Sequence, residues 1–191
     1  MRVIWMRHGE ILLPDTVKRY IGQSDYPMTE KGKEKMERSL KKLHQIFPDV
    51  SKICCSDLLR CVQSAQMAAR IYGMGFCGDP GLREIHMGLW EGASMEEIRE
   101  KYPKEYERRG KEPEKFSPPG GENFQKLADR VMNAVVSWEK SFGRESLVLA
   151  ITHAGVIRAM KCREEGNPLN QVFRYHLDYG AYVLTEYPPA D

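Results

Sequence analysis

The sequence predicts an α/β fold, in which helices alternate with strands and cover a sheet. Three observations predict it. Two short apolar runs, Arg2-Val3-Ile4-Trp5-Met6 and Leu147-Val148-Leu149-Ala150-Ile151-Thr152, have the length and side-chain types of buried strands. The segments between them carry apolar residues at helical spacing, most clearly over 30–47 and 122–141. Each apolar run stops at a histidine and a glycine, His8-Gly9 and His153-Ala154-Gly155. Alternating elements of this kind make an α/β sheet.

The elements follow in order. The first strand ends in the turn at Gly9. Residues 11–28, with Pro14, Gly22 and Pro27, show no period and read as a loop, and a loop of that length in a compact domain is usually functional. Thr29 caps a helix from Glu30 to about Phe47, with Met36, Leu40, Leu43 and Phe47 on one face and Pro48 ending it. His44, among lysines, reads as a solvated surface residue. Val50–Cys55 is a second strand. Ser56 is expected to cap the next helix, with Leu58, Val62, Ala65 and Ala69 on its inner face and Gly73 as its stop. A short strand falls within 74–80. Residues 82–92 hold too many glycines for a helix and too many large apolar groups for a slack linker, so they form a packed loop. Ser94 and Glu97 make a capping box for a helix to about Tyr102. Pro103 is expected to interrupt it, and 93–121 reads as a mobile cap over the site. Glu122–Ser141 is the clearest helix. The strand 147–152 is apolar throughout, as a central parallel strand would be. A helix follows from Gly155 to about Glu164, broken by Gly166 and Pro168. A last strand covers 181–186, and Pro188-Pro189 ends order.

The chain has 191 residues, enough for one domain with a good core, so 1–191 is one unit with 93–121 as an insertion. Hydrophobic residues are 41% and charged residues 29%, with a net charge of +2. That charge argues against nucleic acid and membrane surfaces as partners. The start shows no signal-peptide pattern, and no apolar run approaches the ~18 residues of a membrane span. Five cysteines without a C-x-x-C motif read as reduced thiols of a cytoplasmic protein, with a zinc site as the minor alternative.

Ligands of α/β sheets bind beyond the carboxyl ends of the strands, where His8 and His153 stand. Helix amino-termini close to those ends favour an anion. Arg7 and Arg60 offer guanidinium forks that match phosphate oxygens. Positive neighbours disfavour a charged histidine, and a neutral imidazole can attack phosphorus. A carbonyl near Gly9 would fix the tautomer of His8. Glu84, in its apolar loop, is the candidate acid for the leaving alkoxide. His86 and His176 are read as structural or surface groups.

Arg7-His8-Gly9-Glu10, Arg60 within 56–65, Glu84 ahead of Gly88-Leu89-Trp90-Glu91-Gly92, and Thr152-His153-Ala154-Gly155 occur in order and at matching spacing. With Gly22-Gln23-Ser24-Asp25, Thr29-Glu30-Lys31-Gly32 and Gly120-Gly121-Glu122, they resemble the histidine phosphatase (phosphoglycerate mutase-like) superfamily over residues 1–158. The resemblance implies a three-layer α/β/α sandwich with a mainly parallel sheet and a phosphohistidine on His8. It implies a phosphate pocket of Arg7, Arg60 and His153, with Glu84 as acid and then base. It implies substrate contacts at Gly9, Gly22, Gln23 and Ala154, and no metal or cofactor.

Two departures narrow the branch. Ile11 stands where the family often carries Thr or Ser, which makes the pocket wall more apolar. Ile85-His86-Met87 lacks the Arg- and Tyr-containing stretch of the mutases and resembles the phosphatase branches. The short chain and the Gly22–Asp25 segment lean toward alpha-ribazole phosphatases. The expected function is metal-independent hydrolysis of a small phosphorylated metabolite, alpha-ribazole 5'-phosphate being the named candidate. A phosphoglycerate mutase and a phosphate-binding module without turnover are the alternatives, and a homodimer is compatible with the reading.

Overall fold

The structure is a computed structural model and describes residues 1–187. The predicted end of order at Pro188-Pro189 lies outside the described residues. Strand β1 (Arg2–Arg7) leads to helix α1 (Glu30–Ile46), β2 (Lys52–Cys55), α2 (Leu59–Tyr72) and β3 (Cys77–Gly78). The second half holds α3 (Met95–Lys101), α4 (Pro103–Lys111), α5 (Phe124–Phe142), β4 (Leu147–Thr152), α6 (Ala154–Glu164) and β5 (Tyr182–Glu186).

The five strands lie in the order β3-β2-β4-β1-β5. All neighbours are parallel except β5, which runs antiparallel to β1. Strict alternation along the strands divides the core in two. Val3, Trp5, Cys54, Val148 and Ala150 face α5 and α6, while Ile4, Met6, Ile53, Cys55, Leu149 and Ile151 face α1 and α2. A sheet covered on both faces has no solvated side, which is why β4 is buried along its whole length. The result is the three-layer sandwich. Among the described residues, no helix is long and apolar enough to cross a membrane.

The chain leaves β1 toward β2 and β3 on one side and later returns to β4 and β5. The strand order therefore reverses between β1 and β4, the place where open α/β sheets form a ligand crevice. Arg7 is the register partner of Thr152, so the next residues, His8 and His153, leave the sheet side by side.

Local details depart from the sequence reading in four places. Helix α2 starts at Leu59 and not at Ser56; the Leu59 amide donates to Asp25 Oδ1 at 2.7 Å, so a loop carboxylate caps it. Its buried residues are Arg60, Cys61, Ser64, Ala65, Met67 and Ala68, while Val62 and Ala69 are only half-buried, Val62 packing against the margin of the core. Pro103 begins a helix where the sequence suggested a break: it sits at the first position of α4, where a missing N–H costs nothing. His44 is half-buried, with its ring edge-on to Tyr72 at 4.6 Å. Elsewhere the caps hold as read. Thr29 Oγ1 accepts from the Gly32 amide, the Ser94/Glu97 capping box is complete, and α2 stops at Gly73 with φ +64°. Segment 93–121 packs on the core through Trp90, whose ring meets Tyr20, Tyr102 and Phe116 at 5.4, 6.5 and 5.5 Å.

Candidate active site

His8 is 5% exposed, and the Nδ1 of its ring lies 2.7 Å from its neighbour's carbonyl, Gly9 O. A carbonyl oxygen only accepts, so Nδ1 carries the proton and Nε2 keeps its lone pair. The His153 ring lies 5.2 Å away, fully buried. Its Nδ1 accepts from Arg60 Nε at 3.2 Å, which defines it as neutral too. Both imidazoles are held well below the usual histidine range. Burial is the largest cause and the Arg60 charge the second; charge repulsion, the cause read from the sequence, ranks below desolvation.

Unfolded histidines take up protons as pH falls below about 6.5, while these folded ones do not. Unfolding free energy should therefore fall with pH below that value, by up to about 1.4 kcal/mol per pH unit for each histidine. Urea titrations between about pH 7 and about pH 5 would show it, with a shallower slope in His153→Gln. A slope unchanged by that substitution would contradict the assignment.

Arg60, only 1% exposed, is held by three acceptors. Besides His153 they are Ser24 O at 2.7 Å and Gly22 O at 2.8 Å. This is what Gly22-Gln23-Ser24-Asp25 does: it turns at Gly22 (φ +49°), grips Arg60 with its carbonyls and caps α2 with Asp25. A guanidinium has five N–H donors, so two remain for a ligand. Arg7 donates to Leu177 O at 2.5 Å and lies 3.9 Å over the Tyr179 ring, leaving its buried Nε without a partner.

Glu84 accepts from the Ile85 amide at 2.9 Å and, through its other oxygen, from the Gly155 amide at 3.1 Å. A Cβ on Gly155 would lie 2.2 Å from that carboxylate, so only glycine admits Glu84 at the start of α6. The Glu84 loop is clamped from behind by Arg130, which donates to Gly81 O and Arg83 O and pairs with Glu122. Glu122 also receives the His86 amide at 3.0 Å. Gly120-Gly121-Glu122 thus acts as the seat of the acid's loop, and a Cβ on Gly121 would strike His86 O.

These groups open onto one cleft of about 350 Å³. Arg7, His8, Gly22, Arg60 and Glu84 are in its wall, and His153 lies just beneath. Gly9, Gln23 and Ala154, predicted as substrate contacts, are not in the wall. Gly9 is packed under Met28 and Gly32, and the Gln23 amide is spent on Glu84 O. The wall also holds Arg19, Arg109 and Arg158; Arg19 is paired with Asp15, which leaves four arginines in the wall against one carboxylate. Such an excess selects an anion. Among the described residues no cluster of three or more His, Cys, Asp or Glu side chains is arranged to hold a metal ion.

The profile of the family described as "Histidine phosphatase superfamily (branch 1)" matches residues 3–190. The chain belongs to the histidine phosphatase superfamily. It is 29% identical over 184 residues to phosphoserine phosphatase 1 of Hydrogenobacter thermophilus, covering 96% of this chain and 85% of the relative. It is 31% identical over 166 residues to the metal-independent phosphoserine phosphatase of Arabidopsis thaliana, covering 84% and 67%. The crystal structure of the alpha-ribazole phosphatase from Shigella flexneri superposes with a TM-score of 0.79 at 23% identity over 97% of this chain and 90% of that one, a likeness of fold.

Several cleft residues of this phosphatase carry no signal in the sequence. Tyr179 packs against both Arg7 and the His8 ring, the latter at 5.6 Å between centroids. It sits in the turn before β5, in a stretch without a motif. Arg109 and Arg158 were hidden among many surface charges. Only their lack of an acidic partner in space marks them out, since neither forms an ion pair among the described residues.

Proposed function

We propose that the protein hydrolyses a small phosphorylated metabolite through a phosphohistidine on His8. The observation that carries this is the 2.7 Å contact of His8 Nδ1 with Gly9 O, an acceptor that assigns the proton to Nδ1 and leaves the other nitrogen as a nucleophile at the arginine-lined cleft. His8 Nε2 attacks phosphorus, the new P–N bond forms, and the bond to the leaving oxygen breaks. Glu84 gives that oxygen its proton. Glu84, now a carboxylate, takes a proton from water as the water oxygen attacks phosphorus and the P–N bond breaks. Arg7, Arg60 and His153 hold the phosphoryl oxygens, where their fixed charges and N–H groups offset the developing negative charge. No metal is required, because the arginines supply the positive field. The protein acts in the cytoplasm, which suits its free cysteines. Segment 93–121 serves as the cap, with Met95 and Arg109 in the cleft wall.

Arg109 speaks to the other half of the substrate. Its guanidinium lies 5.3 Å over Tyr20, 5.9 Å over Phe124 and 5.2 Å over Phe173, an aromatic seat with no carboxylate. A carboxylate on the leaving alcohol would complete it, as phosphoserine carries. A neutral nucleoside such as alpha-ribazole would leave that charge unmatched. The test is a panel of phosphorylated metabolites with phosphate release as the readout, including phosphoserine and alpha-ribazole 5'-phosphate. In the same assay Glu84→Gln should slow an alkyl phosphate by about 10²-fold or more and an activated aryl phosphate far less, because only the alkoxide needs the proton. Equal losses on both would remove Glu84 from the role of acid.

A further inference from the structure

The sheet edge remote from the crevice holds a second reactive arrangement. Cys54 on β2 and Cys77 on β3 are register partners, and their Sγ atoms lie 3.1 Å apart. Cys54 is fully buried, whereas Cys77 is the one exposed cysteine among the described residues. Cys55, next in sequence, points to the opposite face of the sheet, toward α1 and α2. Neighbouring strands are about 4.8 Å apart, within the ~4.4–6.8 Å Cα separation that a disulfide accepts. The sulfurs have only to close from 3.1 Å to about 2.05 Å, a side-chain movement.

We propose that Cys54 and Cys77 form an oxidisable dithiol that a small hydroperoxide converts to a disulfide. The contact with Cys54 holds the Cys77 thiol down at about 7, so the exposed partner is the one that ionises near neutrality. The same contact, and after it burial, pushes Cys54 up. The Cys77 thiolate attacks a peroxide oxygen. The O–O bond breaks, water leaves after protonation, and Cys77 becomes a sulfenic acid. The Cys54 sulfur then attacks the Cys77 sulfur, the S–S bond forms, the S–O bond breaks, and a second water leaves with the Cys54 proton. In sum two thiols and one hydrogen peroxide give one disulfide and two waters.

The cross-link would lie just upstream of the acid's loop. The Asp79 amide donates to Cys55 O, and Asp79 itself caps the turn Pro80–Leu82 and accepts from Trp138 Nε1. Oxidation therefore ties the two-residue edge strand β3 covalently to its neighbour β2.

The test treats the reduced full-length protein with hydrogen peroxide, blocks remaining thiols, and maps peptides without reduction. The expected product is a monomer lighter by about 2 Da before blocking, as two lost hydrogens require, with Cys54 joined to Cys77 and full reversal by dithiothreitol. Fragment ions that separate Cys54 from Cys55 identify the partner. Cys77→Ser, a change at an exposed position, should keep the native fold and leave Cys54 reduced under the same treatment. Pairing of Cys77 with Cys55, a disulfide between two chains, or Cys77 sulfinic acid beside reduced Cys54 would each overturn the proposal.

Discussion

His8→Ala is expected to abolish phosphate release from an aryl phosphate in the presence of a chelator, with kcat reduced by roughly 10⁴-fold or more. The reason is chemical: in the proposed mechanism no other group can take the phosphoryl. His153, the only other imidazole at the cleft, has its Nδ1 committed to Arg60 and is fully buried. The substitution also removes a buried ring and its contact with Gly9 O, so some stability is lost. That loss should stay within about 1–3 kcal/mol, the ordinary range for one buried side chain. Thermal melting measured beside the assay separates the two effects. A folded His8→Ala protein with undiminished turnover would falsify the nucleophile assignment. Acid-labile, base-stable phosphate on the quenched wild-type enzyme, missing from the variant, is the direct sign of the intermediate.

Arg60→Ala should weaken inhibition by vanadate or inorganic phosphate by about 10²-fold or more, since charge-assisted hydrogen bonds contribute roughly 1.5–3 kcal/mol each and Arg60 has two donors to give. It should also unsettle the fold. Gly22 O and Ser24 O lose their donor; the buried Gly22 carbonyl left unsatisfied costs about 1–3 kcal/mol, and the half-buried Ser24 carbonyl less. Arg60→Lys tests which property matters. A lysine keeps the charge but cannot reach His153, Gly22 and Ser24 at once, so it should restore little of the affinity. Vanadate inhibition unchanged in a folded Arg60→Ala protein would take Arg60 out of the pocket.

The positions of His8, Arg60, Glu84 and His153 in one place follow from few sequence features. The strands ending at His8 and His153 were legible because each is a short apolar run stopped by glycine-containing turns. The capping signals at Thr29 and Ser94 were legible because a cap is a contact over three residues. Pro103 misled because proline both ends helices and begins them, and the sequence alone does not distinguish the two. The inner face of α2 was misread because an apolar-face rule assumes that helices bury apolar groups. Here Arg60 and Ser64 are inside: the Arg60 guanidinium donates to Gly22 O and Ser24 O, and Ser64 Oγ donates to Arg60 O within the same helix.

The order of residues along the chain is enough for what is local: strand and helix types, the caps, and the residues able to carry phosphoryl chemistry. It reached that far because propensity, periodicity and capping act over a few neighbouring residues. The packed fold supplies what depends on distant segments meeting. It set the clamp of Gly22 and Ser24 on Arg60, the seat of Arg130 and Glu122 under Glu84, and the contact of Tyr179 with Arg7. It also brought Cys54 against Cys77 by strand register. Burial, the main cause that keeps both histidines neutral, belongs to the same class, because desolvation is a property of the packed whole.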